Sequence, residues 1–181
     1  MITSKCYLLG AGASVGYTES KPMPLRPPRS ADFFLRGRDF GLLNEEILPE
    51  LCAELREYIG SDDPLEELPP DDLREDIEEF LKYLAERSAD DPESETNPNK
   101  AIGQCIYFLY ELLRHYQILY YPNNNYRRLA LHHFDNNYDV VSLNYDTLFE
   151  TAVTDVGLNV NYIPRENRFR FMNVAKPHGF N

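Results

Sequence analysis

The sequence predicts an α/β fold in which a parallel sheet carries a largely helical insertion between its first and second strands. Three short apolar runs are each followed by glycine or small polar residues, as at the carboxyl ends of buried strands. Helical apolar periodicity fills most of the stretch between the first run and the second. The three runs with the residues after them are Cys6–Leu9 with Gly10–Ser14, Val140–Ser142 with Leu143–Asp146, and Val174–Ala175 with Lys176–Gly179.

The first run predicts a strand over residues 5–9 and a glycine-rich turn, Gly10–Gly16, that opens a helix. Glycine is needed where a backbone approaches a pyrophosphate closely or adopts positive φ. The spacing Gly10-x-Gly12-x-x-x-Gly16 is one residue longer than the usual dinucleotide fingerprint. The alternative interpretation is a tight strand-to-helix turn that binds nothing. Four prolines then make residues 17–30 a loop.

The insertion is predicted to be helical because its apolar residues recur every three or four positions. Small polar residues before two of these periodic runs are candidate helix caps. The predicted elements are a helix from Asn44 to about Tyr58, an acidic linker at Gly60–Pro70, a helix capped by Asp71 or Asp72 and reaching Leu84, a polar loop at Asp90–Asn99, a helix from about Lys100 to Tyr120, and a short helix at Tyr126–Phe134.

The last third of the chain returns to the sheet. Its predicted elements are a strand over 138–143, a helix from about Asp146 to Val156 that Gly157 ends, a strand over 158–163, a basic turn or hairpin at Arg165–Arg170, and a strand over 171–177. The expected organisation is one domain over 1–181, with a Rossmann-like part at 1–40 and 126–181 and the helical insertion at 41–125.

The negative charge of the chain is concentrated in one segment. The formal net charge is −12, and the stretch 61–95 holds fifteen acidic side chains against Arg74, Lys82 and Arg87. The rest of the chain is therefore close to neutral. Direct nucleic-acid binding is not expected, because it requires clustered lysine and arginine.

The three cysteines, Cys6, Cys52 and Cys105, are widely separated. This spacing disfavours a structural zinc site, which uses four ligands in close pairs, and also a disulfide framework. The thiols fit a reducing cytoplasm. Residues 101–121 are apolar, but several polar and charged residues interrupt them, so a buried or interface helix is favoured over a membrane span.

Asn144, Asp146 and His178 are the side chains most suited to chemistry. The first two can simply cap the following helix, and a lone histidine beside a glycine is usually structural. However, all three are predicted to lie on the same rim of the sheet as the glycine turn. A neutral imidazole at that rim could accept a proton from a sugar hydroxyl or a water molecule near pH 7.

These segments together resemble the sirtuin-like superfamily, which carries a Gly-Ala-Gly turn, an Asn-x-Asp stretch at a strand end and a catalytic His-Gly. Gly10–Ser14, Asn144–Thr147 and Lys176–Gly179 are most similar to prokaryotic sirtuin-like domains of antiphage defence systems. The acidic helical stretch Asp76–Leu81 also looks like one found in that group. The motifs span nearly the whole chain.

The resemblance implies that NAD is the substrate, that no metal is needed, and that the bond between nicotinamide and ribose is cleaved. Asn144 would orient the nicotinamide ribose or the attacking water, and Asp146 would contact the carboxamide or position Asn144. His178 would be the general base, and Asp32 would echo an Asp-Phe in the cofactor loop. The NAD-binding turn would consist of Gly10, Ala11, Gly12, Ala13 and Ser14, with Ala11, Gly12 and Ser14 at the diphosphate and ribose.

The chain departs from the family pattern at its end. It stops at Asn181, directly after His-Gly, whereas sirtuin-like domains continue with strands that hold the adenosine. We therefore expect a C-terminally truncated domain or a fragment, in which the apolar edge of the first strand is open to another chain.

Three functions follow from these observations. The first is an NAD hydrolase that depletes NAD in prokaryotic antiphage defence. The second is an NAD-dependent protein deacylase, disfavoured because Cys-x-x-Cys pairs are missing. The third is a non-catalytic module that binds NAD or ADP-ribose, or that associates with itself or with a defence-system partner through the aromatic helix at 101–121. That helix can equally be explained by core packing.

Overall fold

Helices and parallel strands make up the computed structural model, which describes residues 6–17, 26–90, 97–118, 123–136, 138–161 and 171–175. The fold is mixed α/β and mostly helical, as predicted. The chain divides into two compact units, one formed by Met1–Pro27 with His115–Asn181 and the other by Pro28–Arg114. The predicted helical insertion covers residues 41–125. The second unit begins and ends earlier in the chain, at Pro28 and at Arg114.

The first unit contains a parallel four-stranded sheet with the strand order β1-β2-β4-β3. Its β1 and β2 pair in parallel, with Cys6 opposite Asp139 and Leu9 opposite Ser142, across a connection that contains the helical insertion. The elements of this unit are β1 (Cys6–Leu9), α1 (Ala11–Val15), α6 (Asn125–Asp135), β2 (Asp139–Ser142), α7 (Leu148–Asp155), β3 (Asn159–Asn161) and β4 (Phe171–Ala175).

Apolar side chains from α6 and α7 pack on the β1–β2 part of the sheet. Predicted burial in α7 is confirmed, because Leu148, Phe149, Ala152 and Val153 are all buried. The helix ends before Gly157, which has a φ of 81° and so occupies the left-handed region that favours glycine. The core cluster consists of Leu9, Tyr17, Tyr126, Ala130, Val140, Leu148, Phe149, Ala152, Val153 and Leu158.

β1 is the terminal strand of the described sheet, and Leu8 is 67% exposed. The predicted basic turn or hairpin at Arg165–Arg170 lies outside the described residues. The strands on either side of it, β3 and β4, pair in parallel.

The described part of the second unit contains one short 3-10 helix, Ser30–Asp32, and four α-helices that surround a core rich in phenylalanine. Phe34 stacks on Phe108 with ring centroids 5.8 Å apart and meets the edge of Phe80 at 5.1 Å. Gln104 accepts a 2.8 Å hydrogen bond from the backbone N–H of Leu51, which has no partner within the first turn of its own helix. The helices are α2 (Phe33–Asp39), α3 (Pro49–Ile59), α4 (Ile77–Asp90) and α5 (Pro98–Ile118), the last continuing from His115 into the first unit.

Two predicted helix starts are wrong. Asn44 accepts hydrogen bonds from the N–H groups of Glu46 and Ile47, but this closes a turn, and α3 begins only at Pro49. Proline is favoured at the first helical position, and it disfavours helical backbone in the residue before it. The start of α3 is therefore determined by the proline.

The helix assigned to an Asp71 or Asp72 cap begins at Ile77 instead. Asp76 accepts a 2.9 Å hydrogen bond from the N–H of Glu78, so it acts as the cap. The segment predicted as an acidic linker is anchored, since Leu65 and Leu68 are buried. Their burial holds the turns of this segment in place.

Candidate functional site

The glycine turn lies at the carboxyl end of β1, beside the segment that follows β2. The N–H of Leu143 donates to the carbonyl of Leu9 at 2.8 Å, which continues the strand pairing one step past β2. Gly10 and Asn144 follow these two residues directly. Sheet register therefore brings the first and second motifs to the same edge, as the sequence predicted.

The glycines of this turn are not required by backbone conformation. Gly10 has a φ of −115° and Gly16 a φ of −86°, and Gly12 also lies outside the positive-φ region. A side-chain carbon at Gly10 or Gly12 would meet no described atom within 4 Å. Of the two reasons for glycine, positive φ is thus excluded here.

A buried polar cluster joins the two motifs; we call Ser14, Tyr126, Asn144 and Asp146 the polar cluster. Ser14 Oγ donates to Asp146 Oδ2 at 2.6 Å and accepts from Asn144 Nδ2 at 2.6 Å. It lies 2.8 Å from the hydroxyl of Tyr126. All four residues are buried, and Ser14 and Asn144 are 130 positions apart in the sequence.

Asp146 contacts both the start of α7 and the polar cluster. Its Oδ1 accepts a 3.0 Å hydrogen bond from the N–H of Leu148, two residues further on, as in an Asx turn just before the N-cap residue Thr147. Its Oδ2 accepts a hydrogen bond from Ser14 Oγ. One carboxylate therefore fixes α7 and completes the polar cluster.

Asn144 does not cap α7, because its side-chain nitrogen donates to Ser14 and, at 3.3 Å, to Tyr126. Its Oδ1 accepts no hydrogen bond in the described part of the protein, although the residue is only 3% exposed. A buried acceptor without a partner costs about 1–3 kcal/mol. Such an atom is suited to receive a hydrogen bond from a bound molecule.

Tyr126 is the member of the cluster that sequence reasoning missed. It is brought there by the start of α6, where the N–H of Asn125 donates to the carbonyl of Tyr17 at 2.7 Å. Burial, and then the negative charge of Asp146, raise the pKa of Tyr126 far above its ordinary value, so the hydroxyl stays protonated. The sequence predicted a helix at Tyr126 but contained no signal that links this residue to Ser14.

Of the remaining predicted site residues, Ala11 and Ala13 belong to α1 in the first unit. Ala13 is half-buried and packs against the core of the first unit, and the side chain of Ala11 is not described. Asp32 belongs to the second unit, where it pairs with Arg29 at 3.2 Å. His178 and the whole Lys176–Gly179 motif lie outside the described residues.

The described residues contain no group of three or more His, Cys, Asp or Glu side chains arranged to hold a metal ion. In the same part of the chain, none of the helices has the length and apolar character needed to cross a membrane. All three cysteines are free, and burial raises the pKa of Cys52 and of Cys105 to about 12.

No family model matches this chain, and comparisons with curated proteins and with solved structures give no match.

Proposed function

We propose that this chain is an NAD+ hydrolase, which releases nicotinamide and ADP-ribose. The observation that carries the proposal is the buried Oδ1 of Asn144, which has no hydrogen-bond partner among the described residues and is held beside the glycine turn by Ser14. The substrate comes from the resemblance of the three motifs to sirtuin-like domains. The parallel pairing of β1 with β2, with the glycine turn at their carboxyl ends, supports a Rossmann-like sheet.

Two features of the described site fit NAD. Among the described residues, no atom lies within 4 Å of a side-chain carbon placed at Gly10 or Gly12, which suits close approach of a diphosphate to the backbone. The amide oxygen of Asn144 can accept a hydrogen bond from a ribose hydroxyl or from a water molecule. Ser14 donates to Asp146 and accepts from Asn144, so it holds Asn144 in place beside the carboxylate.

In the proposed reaction the bond between the ribose anomeric carbon and the nicotinamide nitrogen breaks. Its electron pair moves to the nicotinamide ring and neutralises that ring, and positive charge develops on the ribose. Water then attacks the anomeric carbon and transfers a proton to a base, the role that the resemblance gives to His178. The amide dipole of Asn144 and the carboxylate of Asp146 are fixed before the reaction, which is how such charge is stabilised most effectively.

The proposed biological role also comes from the resemblance. Relatives of this kind deplete NAD during phage infection, and we extend that role to this chain in prokaryotic cells.

The test is nicotinamide release from NAD by the purified protein, with ADP-ribose quantified in the same reaction. We expect the two products in equal amounts and a loss of about 100-fold or more in kcat for Asn144→Ala and for His178→Ala. Asn136→Ala is the matched control, because it removes an amide whose hydrogen bond is to His132 at the end of α6. An inert wild type, or an Asn144→Ala variant with wild-type turnover, would contradict the proposal.

An acyl-lysine peptide added to the same reaction tests the deacylase alternative. Transfer of the acyl group to ADP-ribose would show deacylation. Nicotinamide release at an unchanged rate without acyl transfer supports hydrolysis.

A non-catalytic binding or self-association module is the second candidate. Ile106, Tyr107 and Tyr110 on α5 are 47%, 52% and 61% exposed, whereas Phe108 and Tyr116 of the same helix are buried. Core packing thus accounts for some of the aromatic residues and leaves others on the surface. Saturable NAD or ADP-ribose binding without turnover would favour this candidate.

A further inference from the structure

The hydroxyl of Tyr126 contacts Ser14 of the glycine turn and Asn144 of the segment after β2, the two residues through which the polar cluster joins these motifs. Its oxygen lies 2.8 Å from Ser14 Oγ and 3.3 Å from Asn144 Nδ2. Its ring is fixed independently by an edge contact with Phe149, at a centroid distance of 5.5 Å. The ring position therefore does not depend on the hydroxyl.

The protons available to the polar cluster determine the orientation of the Asn144 amide. The cluster contains four polar contacts: Ser14 with Asp146, with Asn144 and with Tyr126, and Asn144 with Tyr126. The hydroxyl protons of Ser14 and Tyr126 and the two amide protons of Asn144 supply one hydrogen-bond donor for each of these four contacts. If the amide were flipped, only the two hydroxyl protons would remain for the same contacts. The observed orientation is therefore strongly preferred, and it leaves Oδ1 free of these partners.

Tyr126 strengthens this preference, which the contact with Ser14 alone would set through one amide hydrogen. The Ser14 hydroxyl donates its one hydrogen bond to Asp146, so Ser14 Oγ accepts hydrogen bonds from both Tyr126 and Asn144. Tyr126 in turn accepts the second amide proton of Asn144. Without the Tyr126 hydroxyl, the second amide proton of Asn144 has no acceptor in the polar cluster, and Ser14 Oγ loses one of its donors. The amide is then held by a single hydrogen bond, to Ser14.

We propose that Tyr126 is a positioning residue for NAD hydrolysis, whose hydroxyl holds the Asn144 amide so that Oδ1 meets the substrate. This inference rests on the proposed function. Tyr126 acts through Asn144 and is not itself assigned a contact with the substrate.

The kinetic test uses Tyr126→Phe, which keeps the ring and removes the hydroxyl. We expect kcat to fall about 10- to 100-fold while KM changes by less than about threefold, because orientation is lost and the binding surface is kept. Tyr83→Phe is the matched control: it removes a hydroxyl that accepts a hydrogen bond from Arg87 in the second unit. We expect wild-type kcat for this variant.

A ligand-free measurement tests the same geometry. The side-chain amide of Asn144 is assigned in a ¹⁵N–¹H spectrum by its loss in Asn144→Ala. We expect its two protons to exchange slowly with solvent in the wild type and about tenfold or more faster in Tyr126→Phe, because one hydrogen bond is lost. Tyr83→Phe should leave the exchange rate unchanged.

The outcomes separate this inference from the proposed function. Full kcat in Tyr126→Phe together with an inactive Asn144→Ala overturns the inference and leaves NAD hydrolysis standing. An inert wild type overturns NAD hydrolysis and with it the catalytic part of the inference. In that case, unchanged amide exchange in Tyr126→Phe would also overturn the assigned orientation.

Discussion

His133 is a buried histidine whose environment predicts a pH-dependent stability. Neither ring nitrogen has a hydrogen-bond partner among the described residues, and the ring packs against Tyr7 at a centroid distance of 4.3 Å. Its other ring neighbours are His132 and Tyr138. Burial, and then the charge of His132, lower the pKa of His133 in the folded state.

The pKa shift gives the sign of the effect. In the unfolded chain this imidazole takes up a proton near its ordinary pKa of about 6.5. The folded state takes up this proton only at a lower pH, so this contribution to stability is complete above the unfolded pKa and is lost as the pH falls from there towards the lower folded pKa. We expect the free energy of unfolding to fall less steeply from about pH 7.5 to about pH 5.5 in His133→Leu than in the wild type.

Urea unfolding at several pH values measures this slope. His132→Gln is the control, because it removes the exposed neighbouring imidazole and keeps the buried one. We expect its slope to lie between those of the wild type and His133→Leu, because the charge of His132 is the smaller of the two causes of the pKa shift. Equal slopes for the wild type and His133→Leu would show that His133 does not contribute.

At the scale of single elements, α2 and α5 approach closely where Gly37 faces Phe108. A side-chain carbon at Gly37 would overlap Phe108 Cε2, so Gly37→Ala must displace a ring that also stacks on Phe34. We expect a loss of about 1–3 kcal/mol in the free energy of unfolding, measured by urea titration.

Gly103→Ala is the matched control on α5. Gly103 is exposed, and a side-chain carbon there meets no described atom within 4 Å. Alanine has a higher helix propensity, so we expect a gain of up to about 1 kcal/mol. Equal effects of the two substitutions would contradict the close packing at Gly37.

The elements with clear periodicity were predictable from the sequence. The apolar stripe of α7 and its glycine terminus appear as expected, since both depend on residues close together in the chain. The starts of α3 and α4 were not, because several polar residues compete to cap each helix. The steric effect of Pro49 determines the start of α3, and the hydrogen bond accepted by Asp76 determines the start of α4. The apolar periodicity carries no information on either effect.

The site was predictable in part. Sequence placed Ser14, Asn144 and Asp146 at strand ends, and parallel register then brings such residues together. It could not identify Tyr126, because the entry of α6 beside Tyr17 is a tertiary contact between distant segments. Likewise, the open acceptor of Asn144 follows from counting protons within the cluster, which requires the three-dimensional arrangement.

At the scale of the whole molecule, the second unit contains a core of its own. We expect a fragment comprising residues 28–118 to fold cooperatively with helical circular dichroism. Phe80 is fully buried and contacts Phe34 and Tyr58, so Phe80→Ala should cost about 3–5 kcal/mol and unfold the fragment. A fragment without helical signal would contradict the independence of this unit.

The separation of the cluster residues in sequence has a consequence for biosynthesis. Ser14 leaves the ribosome long before Asn144, to which it binds across 130 positions. The helices between them form from local contacts, whereas joining β1 to β2 closes a very long loop and is expected to be slow. The polar cluster therefore cannot form until most of the chain has been synthesised, so a nascent or prematurely terminated chain would carry the glycine turn without Asn144.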